Sequence, residues 1–359
     1  MAVARIDLQA LRGNLARIRE LAPEIRVMAV VKADGYGHGL ERVARALAAA
    51  DAFGVAAIAD GLRLRAAGHR NRIVVLSGPD NPADLSEMHR LGLDAVIHHP
   101  QQLAWLQEDR GTPQLRVWLK IDTGMHRLGF LPEQAQSAYR QLQAMSSVHP
   151  EIVVCTHFAA ADEFHNPLTP QQIDTFMQVA GMRSVEQSLA NSAAFLGWPA
   201  ACKGWLRIGG LLYGLSVVAG HTGSEYGFHP AMRLHTRLIA VNRIHKGERI
   251  GYAATWVCPE DMPVGVAAIG YGDGYPRAAP SGTPVRVAGV EVPLIGRVSM
   301  DLITLDLRTT PDARVGDEVL LWGPELPVER IAEQAGSIAY ELTCGITRRV
   351  LVVEADVTG

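Results

Sequence analysis

The chain has 359 residues, 48% of them hydrophobic and 20% charged, enough for two ordinary domains or for one barrel plus an extra module. Its net charge of −3 leaves no basic field for nucleic acid, and no apolar run approaches the length of a membrane span. Four dispersed cysteines, Cys155, Cys202, Cys258 and Cys344, and an N-terminus without the layout of a signal peptide lead us to expect a reduced, cytoplasmic protein.

Asp7 can cap a helix carrying Leu8, Leu11, Leu15, Ile18 and Leu21 at spacings of three and four, and Pro23 stops it. Short runs rich in β-branched residues then recur at 27–31, 53–58, 73–76, 95–97, 115–121, 152–156, 188–190 and 205–208. Stretches at 41–50, 62–67, 84–91, 100–109, 132–145, 170–181 and 193–198 read as helices between them. This alternation predicts an α/β unit over residues 11–225, an N-terminal (β/α)8 TIM barrel. A doubly wound open sheet is the alternative, because periodicity does not count closure. Past residue 225 the texture changes to strands at 232–243, 264–269, 285–287, 290–295, 302–307, 318–322 and 350–353, with one helix at 327–335. Residues 226–359 therefore read as a C-terminal β-strand domain.

In a parallel barrel, ligands bind at the C-terminal ends of the strands. The first run delivers Lys32 to a glycine-rich loop, Ala33-Asp34-Gly35-Tyr36-Gly37-His38-Gly39. The fifth runs into Lys120 and on to Arg127, the sixth ends at Thr156-His157, the seventh at Asn191-Ser192, and the eighth gives Arg207-Ile208-Gly209-Gly210. These cationic groups would meet at one mouth with no carboxylate pair, which fits an anionic ligand such as a phosphate or a carboxylate. The thirteen histidines show no metal-ligand spacing, so no metal is expected. A lysine at this place can hold a cofactor aldehyde as a Schiff base. Read singly, each residue has a plainer use: a solvated Lys32, a surface ion pair for Arg127, core packing for His157 and Tyr36, a simple turn at Gly209-Gly210.

Together, segments 32–39, 120–130, 157–159, 188–192, 207–214, 251–252, 270–277 and 297–301 resemble alanine racemase, a pyridoxal-phosphate enzyme, in order over nearly the whole chain. The resemblance implies that residues of about 2–10 can pack on the β domain and that the chain forms a head-to-tail homodimer with shared active sites. It implies that Lys32 holds pyridoxal 5'-phosphate and serves as one acid/base, with Tyr252 of the partner subunit as the other. Tyr36, Ser192, Gly209, Gly210 and Tyr340 would hold the phosphate, and Arg207 would face the ring nitrogen. Arg127 would sit near the phenolic oxygen and the substrate carboxylate, which the Met300 backbone N–H would also bind. His157 would lie behind the ring, Tyr271 and Asp301 around the substrate entrance, and Lys120 matches a lysine carbamylated in many members. The reaction implied is the interconversion of L-alanine and D-alanine, supplying D-alanine for peptidoglycan or degrading it. The loops Leu76-Ser77-Gly78-Pro79 and Ala59-Asp60-Gly61 depart from the family pattern. Three rivals remain: a racemase of wider substrate scope, a decarboxylase of the same layout, and a non-catalytic single-barrel carrier of the cofactor. Arg207 counts against the decarboxylase, which has glutamate there, and the β domain counts against the carrier.

Overall fold

The computed structural model describes residues 2–179 and 185–355. The chain opens with strand β1 (Val3–Asp7), and Asp7 caps the following helix, Leu8–Leu21, by accepting from the Gln9 and Ala10 N–H groups. Eight parallel strands follow among the described residues: β2 (Arg26–Val30), β3 (Ala52–Val55), β4 (Arg72–Val75), β5 (Asp94–Ile97), β6 (Val117–Lys120), β7 (Val153–Cys155), β8 (Glu186–Ser188) and β9 (Trp205–Ile208). They hydrogen-bond in sequence order, β9 returns to pair with β2, and a single bridge, Asn191 to Arg207, joins the last two. The sheet is thereby closed into a barrel, and the open-sheet alternative falls away.

Inside, Met28, Ala52, Val74, Val96, Trp118, Val153, Cys155 and Trp205 form one buried cluster, while alternate strand residues pack outward against the helices. The N-terminal pole is sealed by Arg72, which pairs with Asp94 and lies over the Trp118 and Trp205 rings. Asp94 also accepts from the Trp118 indole at 2.9 Å. The principal cavity lies towards the other pole, at the C-terminal ends of the strands.

Several element limits differ from expectation. The run 53–58 is strand only to Val55, and Ile58–Ala66 is already helix, because polar Asp60 and Arg63 face outward while Gly61 and Leu64 are buried. The run 188–190 is strand only at Glu186–Ser188. The end of the helix expected at 170–181 lies outside the described residues; helix is present at Leu168–Gln178. Among the described residues the second unit holds two α-helices where one helix was expected. Beside Val328–Gln334 stands Ala339–Cys344, too short for a periodic signal of its own.

The second unit is a closed sheet as well. β10 (Met232–Ile244) pairs with β17 (Glu318–Trp322) along its first half and with β13 (Met262–Ala267) along its second, with register shifts that let it bend. β14 (Pro284–Val287), β15 (Val290–Ile295) and β16 (Ile303–Asp306) complete the ring, and β11 (Arg249–Ile250) and β12 (Trp256–Val257) pair apart from it, flanking Tyr252. β1 pairs antiparallel with β10 and parallel with the last strand, Leu351–Ala355, so the first residues of the chain belong to this sheet. The two units meet at the barrel mouth, where a Cβ on Gly37 would stand 2.0 Å from the Thr343 carbonyl oxygen. Glycine at 37 is what lets the helix Ala339–Cys344 approach the turn after Lys32.

Candidate active site

The segment after β2 is built unusually. Ala33, Asp34, Gly35 and Tyr36 have φ of 53°, 53°, 63° and 54°, one turn of left-handed backbone. Each L-residue there costs roughly 1–2 kcal/mol. Compensating bonds hold the turn: Gly35 N–H to the Val31 carbonyl at 2.9 Å, Gly37 N–H to Ala33 at 3.0 Å, and the Asp34 carboxylate accepting from Leu40 N–H and Arg63. Strain kept at one place by so many partners makes this turn a candidate functional position.

Lys32, Tyr36, Lys120, Arg127, His157, Ser192, Arg207, Gly209, Gly210 and Tyr340 all line one cavity of about 480 Å³ at the C-terminal ends of the strands. Burial, then the charge of Arg127, lowers the Lys32 amine below the usual lysine range. Lys120 is lowered too, by burial first and then by Arg207, Arg127 and Lys32 against the raising influence of Cys155. Arg207 is buried and pairs with no carboxylate among the described residues: its guanidinium donates to the Ser188 carbonyl at 2.6 Å, the Ser188 hydroxyl at 2.8 Å, and the Thr156 and Leu189 carbonyls. The same group lies 3.3 Å from His157 Nδ1. Arginine only donates, so Nδ1 is the acceptor and the His157 proton sits on Nε2. Burial and the surrounding cations hold His157 neutral, well below its ordinary range.

Arg127 is presented by a ring of chain, 122–130, closed by Phe130 N–H to the Lys120 carbonyl and Asp122 N–H to the Phe130 carbonyl, both 2.9 Å. The Asp122 carboxylate accepts the Gly124, Met125 and His126 N–H groups within. Opposite, the Ser192 hydroxyl accepts the Gly209 N–H at 2.9 Å. A Cβ on Gly209 would lie 2.4 Å from the Tyr36 hydroxyl, and one on Gly210 2.4 Å from the Tyr340 hydroxyl. Two phenols, a serine and two glycine backbones thus converge in a cradle suited to a phosphate.

Tyr252, Tyr271, Met300 and Asp301 do not line this cavity. They stand on loops of the second unit, with Tyr252 70% and Met300 51% exposed. Tyr271 N–H donates to the Ser299 carbonyl and Gly272 N–H to the Met300 carbonyl, and Arg349 bridges Asp273 and Asp301 at 3.1 and 2.6 Å, so the segments of Tyr271, Met300 and Asp301 are held together. Beside Tyr252, Ala253 and Ala254 carry φ of 61° and 49°.

Family models for the alanine racemase N-terminal domain and C-terminal domain match residues 6–217 and 231–353. An alanine racemase of Nitrosococcus oceani is 53% identical over 97% of both chains, and one of Coxiella burnetii 49% identical over 99% of both. The crystal structure of the biosynthetic alanine racemase of Pseudomonas aeruginosa superposes with a TM-score of 0.96 at 41% identity, covering 99% of each chain.

The chain belongs to the alanine racemase family.

In this racemase-family chain the cavity has lining residues that strand-end reasoning passed over. Asp162, Trp118 and Cys155 also face it. Cys155 and Trp118 are barrel-interior residues, which the alternation along β6 and β7 could have shown. Asp162 is the one carboxylate among the described lining residues, and it comes from a loop without any sequence signal.

A pH dependence of stability follows from His38, which is fully buried and pushed down to about 4 by desolvation. Unfolded, it titrates near 6.5. Between these values the unfolded chain takes up a proton that the native state refuses. Stability is therefore full above about pH 6.5 and falls as pH drops towards about 4, at up to about 1.4 kcal/mol per pH unit. Urea midpoints across that range check this, and His38→Asn should flatten the His38 contribution.

Proposed function

We propose that the protein interconverts L-alanine and D-alanine with pyridoxal 5'-phosphate on Lys32, using Lys32 and Tyr252 of the partner subunit as the two acid/bases. The observation that carries the reading is the cavity in which a lysine with a lowered pKa faces a two-tyrosine, two-glycine cradle. The cofactor, when bound, supplies an electrophilic carbon for the substrate amine and a conjugated ring that spreads charge from Cα.

The chain's own residues do the rest. Tyr36, Tyr340, Ser192, Gly209 and Gly210 hold the phosphate. Arg127 binds the substrate carboxylate, together with the Met300 N–H of the partner's face, and Tyr271 and Asp301 border the entrance. Racemisation removes a proton from one side of Cα and returns one to the other, which two bases on opposite faces do without turning the substrate. Lys32 takes or gives the proton on one side at Nζ, and Tyr252 of the partner subunit does so on the other at its phenolic oxygen. Tyr252 is exposed on a strained loop of its own chain, which supports a head-to-tail homodimer in which that loop enters the neighbouring cavity.

Arg207 donates only and stays charged, so it favours an unprotonated ring nitrogen. We infer a weaker electron sink that limits side reactions. Arg207→Glu should increase transamination, read as pyruvate released per D-alanine formed; an unchanged ratio counts against the inference. Lys120 lies among cations with a lowered pKa, which favours its free amine and hence carbamate formation with carbon dioxide. The anion would answer the charge of Arg127. Activity should fall in carbon-dioxide-depleted buffer and return with bicarbonate; indifference to both would remove the carbamate.

Among the described residues no helix is long and apolar enough to cross a membrane, which is compatible with a cytoplasmic enzyme supplying or degrading D-alanine. The deciding experiment is an absorbance scan of the purified protein, followed by L-alanine and a readout of D-alanine. A cofactor band with D-alanine formation is expected. A band without D-alanine would move the substrate to another amino acid, and no band after reconstitution would overturn the cofactor.

A further inference from the structure

His38 belongs to the loop that follows Lys32, yet none of the binding or proton-transfer roles falls to it. It is wholly buried, and its Nδ1 lies 2.8 Å from the Tyr36 carbonyl oxygen. That oxygen can only accept, so Nδ1 carries the proton and Nε2 keeps a lone pair. Nε2 is buried with no partner among the described residues. An unpaired buried acceptor costs roughly 1–3 kcal/mol, a cost that leucine or phenylalanine would not carry. Packing alone thus does not call for an imidazole here; its N–H is what an apolar side chain lacks.

That N–H reaches a demanding place. Tyr36 closes the left-handed turn at φ 54°, and its hydroxyl is the one that meets Gly209. The His38 ring lies 4.8 Å from the Tyr213 ring, which stacks on Tyr36 at 4.7 Å, and Tyr340 follows at 5.7 Å from Tyr36. Tyr213 is anchored in turn by its hydroxyl, which donates to the Val30 carbonyl at the end of β2. A continuous chain of ring contacts, stacked between Tyr213 and Tyr36 and tilted at its two ends, runs from His38 to both phenols of the cradle.

We propose that His38 is a positioning residue for the phosphate end of the site, fixing Tyr36 through its carbonyl and, through the chain of ring contacts, the places of the Tyr36 and Tyr340 hydroxyls. The inference rests on the pyridoxal phosphate reading above. Its particular consequence is that His38 acts on the phosphate-dependent part of cofactor affinity and leaves the lysine-aldehyde part alone.

The test uses the full-length chain, stripped of cofactor and titrated with pyridoxal 5'-phosphate or with pyridoxal, following the absorbance of the bound form. His38→Phe and His38→Leu remove the donor, and His38→Asn keeps an amide N–H at similar reach. Phe and Leu variants should lose about tenfold of the preference for the phosphorylated compound, the size of one net hydrogen bond, with pyridoxal affinity unchanged. The Asn variant should keep the wild-type preference. Leu answers for Phe if the larger ring prevents folding. Equal losses for both compounds, an unchanged ratio in the Phe and Leu variants, or a loss in the Asn variant as large as theirs would each overturn the proposal. A wild-type chain that does not prefer the phosphorylated compound would instead sink the cofactor reading itself.

Discussion

Lys32→Ala should abolish racemisation, with D-alanine formation falling by at least about 10⁴-fold, because one substitution removes both a covalent anchor and an acid/base. The cradle of Tyr36, Tyr340, Ser192, Gly209 and Gly210 is untouched by this change, as is Arg207. The variant should therefore still take up pyridoxal 5'-phosphate, now dialysable and with the spectrum of the free aldehyde. The space left by the side chain opens into a cavity of about 480 Å³, so a small primary amine such as methylamine should restore a fraction of the activity. Retention of the lysine-linked absorbance in Lys32→Ala would mean that another amine holds the cofactor. Lys120, in the same cavity, would be the first to examine.

Tyr252→Phe should cost roughly 10²- to 10⁴-fold in turnover, the usual worth of a positioned acid/base, while leaving the cofactor absorbance intact. The exposure of Tyr252, outside its own chain's cavity, makes a sharper experiment available. If two chains share each site, a heterodimer of Lys32→Ala and Tyr252→Phe chains holds one site with both bases and one with neither. Two variants that are each nearly inactive should then recover about a quarter of wild-type activity when mixed at random, since half the dimers are mixed and half their sites intact. No recovery from co-expressed chains would mean that Tyr252 serves its own subunit or none. Full activity in Tyr252→Phe alone would remove it from the mechanism.

Much of the barrel could be read locally. β9, Trp205–Ile208, and β15, Val290–Ile295, stand where the runs of β-branched residues put them, and Asp7 caps the first helix as its side chain allows. The polar residues that end the strands, Lys32, Lys120, His157, Ser192 and Arg207, were legible for the same reason. A strand end is a short-range event, and in a parallel barrel every C-terminal end faces one pole. The helix Ala339–Cys344, with Tyr340 on it, was not legible as a helix; six residues complete too few turns for a periodic pattern. Tyr340 entered through family resemblance alone.

What the sequence by itself determined is the alternation of elements, the chemistry available at each strand end, and the family. Those depend on side-chain period and on residue identity, which are local. The tertiary structure decided the rest. Closure through the pairing of β9 with β2, the β1 strand crossing into the second sheet, and the ring made by a bent β10 all join segments far apart in the chain. So do the cradle, where Gly209 and Gly210 admit hydroxyls from residues 36 and 340, and the contact of Gly37 with Thr343. The cradle and the Gly37 contact leave no room for a Cβ, and β10 bends through its register shifts; in each case the need arises only once the partner segment is in place.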